Sequence, residues 1–201
     1  MVILHRVRER EERLAGLLTG VSLGTPCYVV AEASSTMDLA WDLTRARATE
    51  GTCVVAMIQT AGRGRLGRVW TSPAGGLYGS IILRPTRSQS ELPQLSLMTG
   101  LAVVQAIHET TGLTTAIRWP NDVYIKEDKV AGILIETRAE SQGVVVVIGM
   151  GINMTTDLTQ LPPRSTALNQ WVQPAPDGLV LAASIVRHLE CLYRQLKKDG
   201  F

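Results

Sequence analysis

No charge of one sign dominates this sequence: 20 Lys and Arg stand against 18 Asp and Glu, a formal net charge of +2. A dedicated nucleic-acid binder is expected to carry a stronger basic excess, so the balance argues against that class while leaving room for a local basic cluster that grips an anion. Cysteine is scarce as well. Cys27, Cys53 and Cys191 are odd in number, far apart, and form neither a Cys-x-x-Cys nor a Cys/His ligand pattern. Zinc sites and disulfide frameworks are therefore unsupported, and the three read as isolated small core residues of a cytoplasmic protein. No run approaches the roughly 18 apolar residues of a membrane span, so no membrane partner is expected. Residues 1–13 are charged (RVREREER), unlike a signal peptide. No Gly-Lys-Ser/Thr closes a Walker loop. No Ser/His/Asp or Cys/His set stands out for nucleophilic catalysis, because His5, His108 and His188 all fall in predicted helices.

What is present is 201 residues, 45% hydrophobic, enough for one sizeable core and too few for two large independent domains. Residues 2–18 read as a charged amphipathic helix ended by the glycines at 20–24. An apolar strand follows at 27–30. Ser34-Ser35-Thr36 then looks like the cap of a helix over 37–48. Strands are predicted at 52–59, 77–83, 115–119, 122–126, 130–137 and 144–148, with a glycine- and arginine-rich loop at 61–68. The spacing of Leu95, Met98, Leu101, Val104 and Ile107 predicts a helix over 92–111, and a final amphipathic helix spans 179–197. Pro162-Pro163 marks a surface loop. Consecutive strand signals without regular helical crossovers predict an α+β fold, a mixed β-sheet layered with helices, and not a doubly wound parallel sheet. The 144–147 strand is a candidate sheet edge through which two copies would pair as a homodimer.

The loop carries the chemistry. Gly62-Arg63-Gly64-Arg65-Leu66-Gly67 has the spacing G-x-G-x-x-G, which alone is weak support for a dinucleotide site. Such a fingerprint must run directly into a helix. Here Arg68-Val69-Trp70-Thr71-Ser72-Pro73 follows, and Pro73 ends any incipient helix. The arginines are more informative than the glycines. Glycine lets backbone approach a ligand closely, and Arg63, Arg65 and Arg68 add forked donors suited to carboxylate and phosphate. A cationic, glycine-spaced loop is what a reaction joining two anions needs. The alternative reading is a solvated basic turn.

The segment from Gln59 to Trp70 resembles the signature loop of biotin protein ligases, and four further segments agree with it in order. Ser35-Thr36 resembles the family's early Ser-Thr. Arg118-Trp119-Pro120-Asn121-Asp122 resembles its Lys-Trp-Pro-Asn-Asp. Lys129-Val130-Ala131-Gly132-Ile133-Leu134-Ile135-Glu136 resembles its Lys-x-x-Gly-Ile-Leu-x-Glu, and Gly149-Met150-Gly151-Ile152-Asn153 its Gly-x-Gly-Ile-Asn. The resemblance runs from about Tyr28 to the C-terminus. It implies an ATP-dependent enzyme that forms biotinyl-5′-AMP and passes biotin to a lysine of a biotin carboxyl carrier protein.

By that resemblance, biotin is held by Ser35, Thr36, Met37, Gln59, Gly62, Arg63, Gly64, Arg65, Lys129, Gly132 and Leu134. Hydroxyl and amide side chains suit a ureido ring with its two N–H donors and one carbonyl. The nucleotide falls to Arg65, Arg68, Trp70, Asn121, Lys129 and Asn153, with Mg²⁺ on the phosphates and no metal ligands named. The catalytic set is Lys129, Arg65, Arg63, Arg68 and Asp122, the last near the incoming acceptor lysine. Taken singly, Ser35-Thr36 is a helix cap, Trp70 a core residue, Asn121-Asp122 and Asn153 turn residues, and Lys129 a solvated lysine.

The sequence departs from the family pattern in places. Met37 stands where an Asn is usual, which removes one polar contact, and Arg118 replaces a Lys, so position 118 cannot act as a base. Residues 1–24 are expected to form only a charged helix before a catalytic domain at 25–201, with no DNA-binding domain, no DNA partner and no C-terminal SH3-like barrel. Rival readings are a lipoate or octanoate ligase on the related fold, a non-catalytic biotin-binding domain and a basic RNA-binding module.

Overall fold

Runs rich in Val and Ile fill the middle of the chain. In the computed structural model, which describes residues 6–85, 92–141 and 143–199, they pair into one seven-stranded sheet. Its strands are β1 (Cys27–Ala33), β2 (Cys53–Gln59), β3 (Gly76–Leu83), β4 (Ala116–Arg118), β5 (Asp122–Ile125), β6 (Asp128–Glu140) and β7 (Gly143–Asn153). The spatial order is β1-β2-β3-β7-β6-β5-β4. Only β1 and β2 run parallel; the other neighbours are antiparallel. The helices are α1 (Arg8–Leu17), α2 (Thr36–Arg45), α3 (Leu92–Thr111) and α4 (Gly178–Asp199). This is the α+β architecture expected from the sequence.

The two faces of the sheet are dressed differently, and that asymmetry makes the site. Because side chains alternate along a strand, Val55, Leu77, Ile81, Ile133, Val146 and Ile148 point to one face, where they pack with Leu14, Leu18, Met98, Ile107, Leu181 and Leu189 from α1, α3, α4 and the turn after α1. Burying a side chain of this kind contributes about 1.5–3 kcal/mol relative to leaving it exposed. The opposite face carries Val54, Ile82, Val145 and Val147 under Met37, Ala40 and Trp41 of α2. A single ten-residue helix covers only part of that face. Beyond it, β6 and β7 present Gly132, Leu134, Gly149 and Gly151 to the same side, and the glycines leave a hollow.

Several sequence expectations shift. β7 lies between β3 and β6 in the middle of the sheet, and Val146 and Val147 have strand partners on both sides, so the strand is not the edge expected from the sequence. Its valines feed both cores at once, Val145 and Val147 on one face and Val146 on the other. The helix expected from residue 2 starts at Arg8; Arg6 bridges to Val30 as extended chain, and residues 1–5, with His5, lie outside the described residues. Cys27 and Cys53 are not isolated. They are direct partners in the parallel register of β1 and β2. Each thiol donates to a backbone carbonyl at 3.5 Å, Cys27 to Glu11 O and Cys53 to Gly24 O, and with the Cys27 thiol beside it the fully buried Cys53 thiol is pushed well above its ordinary range.

Candidate active site

The hollow is a cavity of about 280 Å³, close to the lower end of the usual small-ligand range. Its inner end is polar. Ser35 caps α2, its Oγ accepting from Met37 N at 3.2 Å, as the sequence predicts. That cap places Thr36 at the sheet surface, where its backbone N and Oγ1 both donate to Gln59 Oε1 at 2.8 and 3.1 Å. Ser80 Oγ donates to Thr36 Oγ1 at 2.8 Å, Gln59 Nε2 to Ser72 Oγ at 2.8 Å, and Ser72 Oγ to the Trp70 carbonyl at 3.0 Å. Donors and acceptors thus form one connected, largely buried relay.

The floor depends on glycine. A Cβ at Gly149 would stand 2.6 Å from Met37 Sδ, and one at Gly151 would stand 2.3 Å from Trp70 Nε1. A Cβ at Gly132 would meet the Trp70 ring at 2.8 Å. The missing side chains therefore let Met37 and Trp70 lie flat against β6 and β7. The Trp70 indole N–H is buried and has no acceptor among the described residues.

The roof is the arginine loop, which folds back on itself as a small hairpin. Trp70 N donates to Gly62 O at 3.0 Å and Gly64 N to Arg68 O at 2.7 Å, with Arg63 bridged to Val69. Leu66 and Gly67 at the tip both take positive φ, 56° and 74°, a conformation that glycine adopts without strain. The three arginines are not equivalent. Arg63 is committed: its guanidinium pairs with Asp38 of α2 and lies 3.1 Å from Glu136 of β6. Glu136 also accepts the Trp41 indole N–H at 2.7 Å. Burial alone would lower the Arg63 pKa, but the Asp38 hydrogen bond and the charges of Glu136 and Asp38 outweigh it and hold the group above its ordinary value. Arg65 reaches across the mouth to Asn121 Oδ1 at 3.1 Å. Arg68 lines the cavity.

On the far wall, Lys129 Nζ lies 2.7 Å from Asp122 Oδ1 and 5.1 Å from the centre of the Trp70 ring. The first contact is an ion pair by distance although Oδ1 receives no aligned hydrogen bond; the Coulomb attraction depends on distance and holds regardless. Asn121 is fixed in turn, its Nδ2 donating to Ile133 O at 2.7 Å. The result is one cavity with a neutral polar relay at one end and Arg65 and Lys129 around the other, and with Arg68 also on its lining. It suits a ligand with a polar uncharged head and an anionic tail.

Of the residues named from the sequence, Ser35, Thr36, Met37, Gln59, Arg63, Gly64, Arg65, Arg68, Trp70, Asn121, Asp122, Lys129, Gly132 and Leu134 all line this cavity. Gly62 does not; it sits behind the roof, where a Cβ would meet Trp70 O at 2.4 Å. Asn153 is also off the wall. It is 2% exposed, with Nδ2 donating to Thr166 O at 3.0 Å. Sequence reasoning missed Ser80 and Ser72 of the relay, and Asp38, Trp41 and Glu136 around Arg63. Ser80 carried a signal, as the one aliphatic hydroxyl in the apolar run Leu77–Leu83; Glu136 closes the motif that begins at Lys129, though nothing there ties it to Arg63, and Asp38 carried no signal.

Residues 29–153 match the biotin/lipoate A/B protein ligase family. The chain is 41% identical over 174 residues to the bifunctional ligase/repressor BirA of Bacillus subtilis, covering 84% of this chain and 54% of that protein. It is 35% identical over 171 residues to the biotin–[acetyl-CoA-carboxylase] ligase of Mycobacterium tuberculosis, covering 81% and 62%. The chain thus spans little more than half the length of these curated relatives. Among solved structures it resembles the Aquifex aeolicus biotin protein ligase in complex with biotin and ATP, with a TM-score of 0.75 and 33% identity over 87% of this chain and 72% of that one. The Leishmania major biotin protein ligase with biotinyl-5-AMP gives a TM-score of 0.72 at 29% identity, over 87% and 79%.

Proposed function

Because the chain belongs to the biotin/lipoate A/B protein ligase family, we propose that it is an ATP-dependent biotin–protein ligase acting on a biotin carboxyl carrier protein. The observation that carries this reading is the division of the cavity, with the Ser80–Thr36–Gln59–Ser72 relay at one end, Arg65 and Lys129 at the other, and Arg68 also on the lining. A ureido ring meets the relay by exchanging its internal hydrogen bonds for ligand ones, which a plain acyl chain cannot do.

In the first step the biotin carboxylate attacks the α-phosphorus of ATP, a P–O bond forms, and pyrophosphate leaves. Two anions must meet, so the barrier is dominated by repulsion that positioned cations relieve. Lys129 and Arg65 flank the opening where the two would meet, and Arg68 adds charge on the cavity lining. Arg63 has a different part: tied to Asp38 and Glu136, it holds the hairpin over the ring end. In the second step the neutral amine of an acceptor lysine attacks the acyl carbon and AMP leaves. Asp122 beside Lys129 is placed to receive the amine's proton. The mixed anhydride is sensitive to water, and the hairpin roof excludes it.

No group of three or more His, Cys, Asp or Glu capable of holding a metal occurs among the described residues. Mg²⁺ would arrive on the phosphates of the nucleotide, as part of the substrate, and Asp122 is a carboxylate that lines the cavity. No described helix is long and apolar enough to cross a membrane. A cytoplasmic setting, where ATP and reduced thiols such as Cys27 and Cys53 coexist, fits the reading.

The test is incubation of the chain with ATP, Mg²⁺ and either biotin or lipoate, following pyrophosphate. Biotin-dependent release with lipoate inert is expected; equal or faster turnover with lipoate sinks the assignment.

A further inference from the structure

Large apolar side chains standing in solvent are few among the described residues: Leu66, Val69, Leu97, Trp119 and Leu158. Scattered exposed apolar residues need no explanation, but a cluster around one opening does. Two of these five line the cavity, and two more lie on or next to the turn that brings Asn121 to it. Leu66, 87% exposed, and Val69, 78% exposed, are the tip and outer flank of the hairpin roof. Trp119, 77% exposed, lies in the turn between β4 and β5, two residues before Asn121. The contact from Arg65 to Asn121 draws hairpin tip and turn together. Ser96 Oγ donates to Pro120 O at 3.0 Å, which brings Leu97 of α3 beside the same turn. Leu66 and Val69 also line the cavity; Trp119 and Leu97 do not, so the chemistry inside leaves them unexplained.

We propose that this apolar rim is the docking surface for the acceptor domain, with Trp119 its anchor, seated against apolar side chains that flank the acceptor lysine. The inference rests on the ligase reading. A lysine carries its amine on a four-carbon stem, too short to reach the cavity unless the acceptor backbone comes down onto the mouth. The residues on either side of that lysine must then cover Leu66, Val69, Leu97 and Trp119, and an apolar rim selects apolar neighbours. A second copy of this chain seated on the same rim would cap the opening through which the acceptor has to enter. Tryptophan suits an anchor because it buries a large area while losing little rotamer freedom.

The experiment compares wild type, Trp119→Ala, Trp119→Phe and Leu97→Ala in two assays. One is biotin-dependent ATP–pyrophosphate exchange, which reports the first step alone. The other is biotin transfer to a purified biotin-acceptor domain of acetyl-CoA carboxylase over a range of acceptor concentrations. Trp119→Ala is expected to leave exchange at the wild-type rate and to raise the acceptor KM about 30-fold or more, the cost of losing a tryptophan hot spot. Trp119→Phe should recover most of that loss, and Leu97→Ala should show a smaller rise. An unchanged acceptor KM overturns the proposal. So does a parallel loss of exchange, which would assign the rim to the small-molecule site. A concentration-dependent dimer of the wild type that Trp119→Ala abolishes in sedimentation would give the rim to a second copy. Failure of the ligase reading looks different: the wild type itself would show no biotin-dependent exchange.

Discussion

Lys129 is held by unlike contacts that leave its charge at one place. Its backbone N donates to Arg164 O at 3.0 Å and its carbonyl accepts from Thr166 N at 2.9 Å. Its stem passes Gly132, where a Cβ would stand 3.3 Å from Cε and Nζ, and its ammonium stands between Asp122 and the Trp70 ring. A charge fixed this way needs no reorganisation when a reacting phosphate arrives, which is what makes preorganised groups effective. None of the hydrogen bonds of the polar relay involves Lys129. Lys129→Ala should therefore slow adenylate formation by about 100- to 1000-fold, or about 2.7–4 kcal/mol, while biotin affinity changes little. Stopped-flow adenylation together with calorimetric titration of biotin reads the two effects separately. Abolished biotin binding, or a normal adenylation rate, rules out the role. The identity of this lysine was legible in the sequence because it begins an ordered motif. Its ion pair with Asp122 was not, since that depends on the irregular register at Val123/Tyr124 between β5 and β6.

The hairpin and α2 show what a sequence pattern conveys about an element and what it leaves out. The apolar runs of β6 and β7 and the Ser35 cap were readable, because each is set by neighbours a few residues away. So were the glycines, though not what they admit: Met37 and Trp70 settle on Gly149 and Gly151 only once three separate segments have met. Arg63 looked like one of three equivalent phosphate-facing cations. Its actual partners lie 25 and 73 residues away in sequence, and such distances leave no local signature. The consequence is mechanical. The hairpin is tied down at its base through Asp38 and Glu136, whereas its tip is tied only through Arg65 and Asn121. Glu136→Gln keeps an acceptor for the Trp41 indole but removes the charge that faces Arg63. Both groups are about one-third exposed, so the loss in global stability should stay near 1 kcal/mol or below. The local effect should be larger: faster amide exchange across residues 62–70 and a severalfold rise in the KM for biotin at nearly unchanged kcat. Hydrogen exchange followed by mass spectrometry checks the first and steady-state kinetics the second. Unaltered exchange in the hairpin would mean that the ion pair does not restrain it.

Across the whole molecule, the sequence showed that β7 is a buried strand but not where it lies in the sheet, because burial of both faces leaves its lateral neighbours open. An uninterrupted run of valines at 144–147 has no polar face to show to solvent, which is the mark of a strand covered on both sides. What was not legible is how the last helix is fastened to the rest. Glu50, in the turn before β2, accepts from Arg84 N at 3.0 Å, from the Tyr193 hydroxyl at 2.7 Å and from Lys197 Nζ at 2.9 Å. One carboxylate thus joins the end of β3 to the C-terminal part of α4. Burial alone would raise the Glu50 pKa, but these hydrogen bonds and the Lys197 charge outweigh burial and hold it below the ordinary 4.5. Burial and the Glu50 contact push the Tyr193 hydroxyl up, so it remains a donor throughout the neutral range. A carboxylate depressed on folding contributes stability that is fully present above its unfolded value and is lost as pH falls through its folded value. Glu11, whose burial cost is outweighed by Arg6 and the Val29 amide, has the same sign and adds to the same acid limb. Glu50→Gln should therefore destabilise the protein by about 1–3 kcal/mol at pH 7, as expected for hydrogen bonds to a charged acceptor. The gap between variant and wild type should close as pH drops below 4.5 and the wild-type carboxylate is neutralised. Urea unfolding of both proteins at intervals from pH 7 to pH 3 measures that gap directly. A difference that stays constant over the whole range would mean that the shape of the side chain at position 50, and not its charge, fastens α4 to the sheet.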